Sequence, residues 1–109
     1  MKALLICLFS LFVFTGSFAG TESVKIKTSA VCAECKENIQ KEFTFTSGIK
    51  SFDLDYETGM ITVNYNPKKT DPDKIKKAIT QAGYDADDLP ADPKAYDKLD
   101  ACCKKDGHK

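Results

Sequence analysis

The residues of this chain best suited to chemistry are two cysteines, Cys32 and Cys35, which are separated by Ala-Glu. An alternating apolar run precedes the pair and a run with helical periodicity follows it. The two thiols therefore lie one turn apart where a strand passes into a helix. Thiols in that position suit a soft metal ion or a reversible disulfide. The rest of the chain must decide between these two uses.

The thiolate form of cysteine is both the metal ligand and the nucleophile, so the pKa of each thiol controls the chemistry. Cys35 falls in the first turn of the predicted helix, where free backbone N–H groups and the helix dipole favour an anion. Cys32 precedes the helix and can face Cys35. Two thiolates suit Cu(I), the favoured ion, and equally Hg(II). Zn(II) or Cd(II) are further candidates, although zinc prefers four ligands and would remain exchangeable here.

A second thiol pair, Cys102-Cys103, lies near the C-terminus and is followed by His108. Both cysteine pairs would make poor disulfide staples, because a bridge across so few residues removes little entropy from the unfolded chain. The tail could form a separate metal site that loads or unloads the first one. It could instead fold back, so that its thiols join Cys32 and Cys35 around one ion in a closed three- or four-coordinate site. The third alternative is an oxidised pair that binds no metal.

Residues 1–19 are predicted to form a cleaved signal peptide. Lys2 supplies a positive start, Ala3–Phe14 is an apolar run too short to span a bilayer comfortably, and Ser17–Ala19 offers the small residues that cleavage requires. Cys7 lies within the apolar run and is expected to be removed with it. An uncleaved N-terminal anchor is the alternative.

Cleavage at that point implies an exported protein, which is periplasmic if the source is a Gram-negative bacterium. The remaining chain of about ninety residues points to one domain, and we divide it into a domain at 20–89 and a tail at 90–109. The sixteen cationic residues are all lysines and are matched by sixteen acidic ones. This composition argues against a nucleic-acid partner, which calls for a basic face with arginine contacts. With no second apolar segment, we expect a soluble monomer without stable membrane insertion.

Hydrophobic periodicity predicts two helices and four strands. The strands are expected at 24–28, 52–56, 61–65 and 84–89, and the helices at 34–45 and 72–82. Asp71-Pro72 opens the second helix and Gly83 ends it. The order β-α-β-β-α-β predicts an α+β fold, the ferredoxin-like sandwich, with two helices on one face of a four-stranded antiparallel sheet. The expected core between these layers consists of Val24, Ile26, Ile39, Phe43, Phe52, Leu54, Ile61, Val63, Ile75 and Ile79.

The tail is predicted to form a short third helix over 93–105. Asp92-Pro93 repeats the capping signature of the second helix, and Tyr96, Leu99 and Cys103 fall on one helical face. A solvated tail is the alternative, because so short a helix is marginal unless it packs.

The segment from Val24 to about Leu89 resembles a heavy-metal-associated domain. This family includes copper chaperones, the metal-binding modules of heavy-metal-transporting P-type ATPases and a periplasmic mercury-binding protein. The matching pieces are Cys32-Ala-Glu-Cys35, Ile39, Gly48-Ile49, Ile61-Thr-Val-Asn-Tyr-Asn-Pro67, Ile75-Lys-Lys-Ala-Ile79 and Ala82-Gly83-Tyr84. The resemblance implies that Cys32 and Cys35 ligate the metal. It also implies that Tyr84 packs near the metal loop and limits water access, with ordinary core packing as the alternative.

The chain departs from the family pattern just before the first cysteine. Ser29-Ala30-Val31 stands where the family usually has Gly-Met-Thr, so Ala30 replaces a methionine that anchors the loop from beneath. Glu34 adds an anion at the mouth of the site. It either favours a divalent ion or simply suits the helix N-terminus.

The predicted function is that of a binding module rather than an enzyme. It would capture a soft ion and pass it by thiolate exchange to or from a metal-donor or metal-acceptor protein, such as a heavy-metal transporter. Exposed lysines either dock an acidic partner or serve solubility; these are Lys36, Lys41, Lys76 and Lys77. A thiol–disulfide oxidoreductase is one alternative, although such proteins place the motif in a βαβ unit. A metal-free interaction domain is the other.

Overall fold

The computed structural model describes residues 20–104, so the predicted signal peptide and His108 lie outside the described residues. Within that range the elements follow in the order β1 (Glu22–Lys27), α1 (Ala33–Thr44), β2 (Ile49–Leu54), β3 (Met60–Tyr65), α2 (Pro72–Gln81) and α3 (Pro93–Asp97), with a final 3-10 turn (Ala101–Cys103). No helix of this part of the chain is both long enough and apolar enough to cross a bilayer.

The sheet of the described residues has three antiparallel strands in the order β1-β3-β2. Ile61 on the central strand lies opposite Ile26 on one side and Leu54 on the other, and all three side chains are buried. Their burial on one sheet face follows from the alternation of apolar and polar residues along each strand. The predicted α+β class is therefore confirmed, and the arrangement is consistent with the ferredoxin-like fold.

The predicted fourth strand does not form as a strand in the described residues. The segment 84–89 contributes single bridges, Thr28 to Ala86 and Ala86 to Leu89. Asp87 has φ of 53°, a left-handed conformation that Asp tolerates better than most residues, and the chain turns back at this point. The backbone N–H of Asp87 donates to the carbonyl of Lys27 at 2.8 Å, and its carboxylate accepts from the N–H of Lys27 at 2.9 Å. The turn is thus attached to the end of β1 without extending the sheet.

Both main helices lie within a residue of the predicted bounds. Asp71 caps α2 by accepting a hydrogen bond from the N–H of Lys74 at 2.9 Å, with Pro72 as the first helical residue. Gly83 follows the helix with φ of 107°, which favours glycine. The cap of α1 is Cys32 itself, whose sulfur accepts from the N–H of Cys35 at 3.4 Å.

The core contains every residue predicted for it, with Val24 and Phe52 only partly buried at its edge. Phe52 packs edge-on against Phe43, with ring centroids 5.1 Å apart. The core also takes in residues that periodicity did not assign to it; these are Ala30, Tyr65, Ala86 and Cys103.

The predicted tail helix is broken into two short pieces. The helix α3 ends at Asp97, the backbone of Asp100 is extended at φ −67° and ψ 157°, and only then does the final turn begin. The tail nevertheless packs against the domain. Ala95 and Leu99 of the tail approach Gly83 so closely that a Cβ on Gly83 would lie 3.1 Å from the carbonyl oxygen of Ala95 and 3.2 Å from Cδ1 of Leu99. The extended residue lets the chain bend toward α1, and the side chain of Cys103 is buried as a result.

A candidate thiol metal site

The loop that carries Cys32 is held at several points along its length. The hydroxyl of Thr28 donates to the carbonyl of Gly59 at 2.7 Å and accepts from the N–H of Ala30 at 3.1 Å. The hydroxyl of Ser29 accepts from the N–H of Asp85 at 3.0 Å. Ala30, which stands where the sequence resemblance led us to expect methionine, is wholly buried. These contacts fix the approach to α1.

The sulfur atoms of Cys32 and Cys35 lie 2.9 Å apart, and both thiols are free. Cys35 is fully buried on the inward face of α1, whereas Cys32 is partly exposed. The pair therefore has one sulfur anchored in the core and one sulfur that solvent or another molecule can reach.

The two thiols differ in acidity because their surroundings differ. Burial by itself would raise the pKa of Cys35, but hydrogen bonds from Cys32, Tyr84 and the backbone of Val31 outweigh burial and lower it. The pKa of Cys32 is raised by burial and by its hydrogen bond to Cys35. Cys35 is consequently the thiol of this pair that ionises first, with Cys32 as its hydrogen-bond donor.

Tyr84 is fully buried next to the cysteines. Its hydroxyl accepts a hydrogen bond from the side-chain amide of Asn38 at 2.9 Å and interacts with the thiols of Cys35 and Cys103. The pKa of Tyr84 is raised, chiefly by burial, so the hydroxyl keeps its proton. The tyrosine thus packs in the core next to the thiols.

The tail brings its thiols to the same place. The sulfur of Cys103 lies 3.9 Å from the sulfur of Cys32, and the sulfur of Cys102 lies 3.9 Å from that of Cys103. The sulfurs of Cys32, Cys102 and Cys103 all fall within 4.8 Å of one another. Burial is the main cause of a strongly raised pKa for Cys103. The tail thiols thus lie beside the first pair, which is the placement that the folded-back arrangement requires.

Glu34 faces the tail rather than open solvent. Its carboxylate accepts a hydrogen bond from the thiol of Cys102 at 3.6 Å. The pKa of Glu34 is raised, first by a hydrogen bond with the carboxyl group of Asp100 and then by the charge of that group. The anion is thus part of the contact between the tail and the start of α1.

Two contributors to the site were not predicted, Asn38 and Asp100. Asn38 follows Cys35 by three residues and so shares its helix face, a signal that the sequence carried. Asp100 had no such signal. Among the predicted docking lysines, Lys36 and Lys76 are partly buried, and Lys76 pairs with Asp87 at 3.2 Å. Lys41 and Lys77 are exposed.

The described residues thus form a small α+β domain with paired thiols at a helix N-terminus. The model of the heavy-metal-associated domain matches residues 24–85, more than half of the chain. This protein is therefore a member of the heavy-metal-associated domain family.

Known proteins similar to this chain include a transporter and two solved domains. It is 34% identical over 59 residues to a copper-exporting P-type ATPase of Staphylococcus aureus (strain JH9), which covers 54% of this chain and 7% of the ATPase. The structure of the CopZ metallochaperone aligns with a TM-score of 0.56 at 26% identity, over 60% of this chain and 98% of that one. Oxidized MerP from Ralstonia metallidurans CH34 aligns with a TM-score of 0.55 at 27% identity, over 61% and 93%. The chain spans less than a tenth of the length of the curated relatives it matches.

Proposed function

We propose that this protein captures a thiophilic metal ion outside the cytoplasm and passes it to a partner by thiolate exchange. The observation that carries the proposal is the 2.9 Å approach of the Cys32 and Cys35 sulfurs, with one buried and one accessible. Export follows from the predicted signal peptide. The role is that of a carrier and not of an enzyme, because the ion is cargo that leaves unchanged.

Cu(I) is the cargo that the site suits best. Paired thiolates match a soft ion that accepts few ligands, and similar proteins include a copper-exporting ATPase and a metallochaperone. Hg(II) shares this ligand preference. Zn(II) and Cd(II) are weaker candidates because zinc prefers four ligands.

Transfer begins at the accessible sulfur. A thiol of the partner releases its proton to solvent, and its sulfur forms a bond to the ion. The bond between the ion and Cys32 then breaks, and Cys32 takes up a proton from solvent. Cys35, buried in the domain, is the last ligand to let go. The fitting partner is a metal transporter or its metal-binding module, which presents cysteines of its own.

Competition with a chromogenic Cu(I) chelator tests this proposal on the purified, reduced protein under anaerobic conditions. The variant Cys32→Ser/Cys35→Ser is expected to lose tight Cu(I) binding. The matched control, Cys102→Ser/Cys103→Ser, removes as many thiols and should still bind one ion. The proposal is wrong if the first variant competes as well as the wild-type protein.

A second measurement separates the carrier from a thiol–disulfide oxidoreductase. The metal-free protein is incubated with a disulfide substrate and a reductant. A carrier should show no turnover above that of the Cys32→Ser/Cys35→Ser variant. Sustained turnover that depends on these two cysteines would support the redox alternative instead.

A further inference from the structure

We infer that the C-terminal tail supplies Cys103 as a third sulfur ligand and so closes the Cys32–Cys35 pair into a three-thiolate site. This inference rests on the proposed function, because it adds a ligand to the same site. It also changes the chemistry of that site, since the third sulfur adds a bond to the ion and shields the ion from solvent.

One edge of the proposed triangle of sulfurs already has the length that a trigonal ion requires. Metal–thiolate bonds of about 2.3 Å place the sulfurs of a trigonal site about 4 Å apart. The sulfur of Cys103 is 3.9 Å from that of Cys32, so this edge already has the required length. The Cys32–Cys35 edge, at 2.9 Å, must open by about 1 Å on the same bond lengths. Rotation of the Cys32 side chain can supply this opening, because that side chain is partly exposed.

The fold holds Cys103 in place on several sides. Its side chain is only 2% exposed. The side-chain amide of Asn38 donates to its sulfur at 3.8 Å, and the same amide also donates to the hydroxyl of the buried Tyr84 at 2.9 Å. The backbone N–H of Cys103 donates to the carbonyl of Asp100 at 2.9 Å and closes the final turn. A thiol buried beside other thiols and their hydrogen-bond donors is in position to act as a metal ligand. A solvated tail would make none of these contacts.

Cys102 is the natural comparison for Cys103. It is the adjacent residue and has the same chemistry, but its side chain is exposed and donates to Glu34 at 3.6 Å. Its sulfur is close enough to Cys32 to compete for the third position. We assign the position to Cys103 because burial holds its sulfur against the pair, whereas the sulfur of Cys102 faces solvent.

A third ligand on the tail adds one step to the release of the cargo. A thiolate of the partner forms a bond to the ion, and the bond between the ion and Cys103 breaks. Cys103 takes up a proton from solvent to balance the proton that the partner's thiol lost. The ion therefore has at least three sulfur ligands during this first exchange, and the bond between the ion and Cys32 breaks only afterwards.

X-ray absorption at the copper edge counts the sulfur ligands directly in the purified, reduced protein loaded with one Cu(I). We expect three sulfurs in the wild-type protein and in Cys102→Ser, and two sulfurs with shorter bonds in Cys103→Ala. Chelator competition should show a loss of about tenfold or more in affinity for Cys103→Ala, equivalent to about 1.4 kcal/mol or more. Alanine is used because the position is buried, and circular dichroism checks that the variant is folded.

A second measurement does not require a variant of Cys103. Alkylation followed by mass spectrometry compares the reactivity of Cys103 with and without one equivalent of Cu(I). The ion should protect Cys103 in the wild-type protein but not in Cys32→Ser/Cys35→Ser. Equal reactivity with and without the ion would contradict the inference.

The outcomes separate this inference from the proposed function. If Cys32→Ser/Cys35→Ser binds Cu(I) normally, the proposed function fails. If that variant loses the ion but Cys103→Ala keeps the full sulfur count, only the third ligand is wrong. If the third sulfur is lost in Cys102→Ser and not in Cys103→Ala, the third ligand is Cys102, and the inference is also wrong.

Discussion

The two cysteine pairs of this protein use the same chemical group but reach their positions by different means. Cys32 and Cys35 are placed by local structure, because the first caps α1 and the second lies in its first turn. Cys102 and Cys103 are placed by the packing of a tail about 70 residues away in sequence. The position of a motif next to a helix start can therefore be predicted from the sequence, whereas the position of a thiol on a broken tail cannot.

The largest expected difference between the pairs is in metal affinity. Removing Cys32 and Cys35 should lower Cu(I) affinity by about a thousandfold or more, which corresponds to about 4 kcal/mol. Removing Cys102 and Cys103 should have a far smaller effect, because the first pair still binds the ion. Chelator competition with both double variants checks this ranking, and equal losses would show that the two pairs form one indivisible site.

The docking of the tail can be broken without touching a cysteine. In Gly83→Ala the alanine must adopt a backbone φ of 107°, which favours glycine. Its new Cβ would lie only 3.1 Å from the carbonyl oxygen of Ala95 in the tail. We expect the free energy of unfolding to fall by about 1–2 kcal/mol and Cys103 to become more reactive toward alkylation. Chemical denaturation and thiol labelling measure the two effects.

Gly20→Ala is the matched control for this change, because a Cβ at Gly20 meets no atom within 4 Å. It should alter neither stability nor thiol reactivity. If Gly83→Ala leaves Cys103 as protected as in the wild-type protein, the tail does not depend on this contact.

The link between the two pairs can be weakened at Tyr84. Tyr84→Phe removes the hydroxyl that meets Asn38, Cys35 and Cys103, at a cost of about 1 kcal/mol in stability. The pKa of Cys35 should rise, because a hydrogen bond that favours its thiolate is lost. The pH dependence of alkylation measures that pKa.

Tyr56→Phe provides the comparison, since Tyr56 is 43% exposed and remote in sequence from the thiols. An unchanged Cys35 pKa in Tyr84→Phe would show that the hydroxyl serves packing alone.

The smallest expected effect is the loss of stability caused by a substitution of Asp87, in the turn that follows Tyr84. The pKa of Asp87 is lowered, mainly by the hydrogen bond from the N–H of Lys27 and further by Lys76. The ionised carboxylate therefore adds stability above its unfolded pKa, and that contribution is lost as pH falls through the lowered folded pKa. Asp87→Asn should cost less than about 1 kcal/mol at neutral pH and nothing at low pH. Denaturation at several pH values tests this, and a cost that persists in acid would contradict it.

Local patterns predicted most of the fold but not its last strand. The strands β1 and β3 and both long helices follow from alternation and from caps such as Asp71-Pro72, which act within a few residues. The strand β2 begins at Ile49 and ends at Leu54, three and two residues before the predicted bounds of 52–56. The segment 84–89 also looked extended, but Asp87 turns the chain back there. That turn depends on hydrogen bonds to Lys27, which is far away in the sequence. No local sequence pattern therefore predicts the turn.

The amino-acid order alone specified the helices, the three strands, the core stripe and the pair Cys32-Cys35 at a helix start, because each depends on neighbours along the chain. Tertiary packing decided where the tail helix breaks, that Glu34 meets the tail, and that Cys103 enters the core beside the first pair. Those features arise from contacts between segments that are distant in the sequence. Such contacts can stabilise the tail only after the sheet and helices have formed a surface on which it packs.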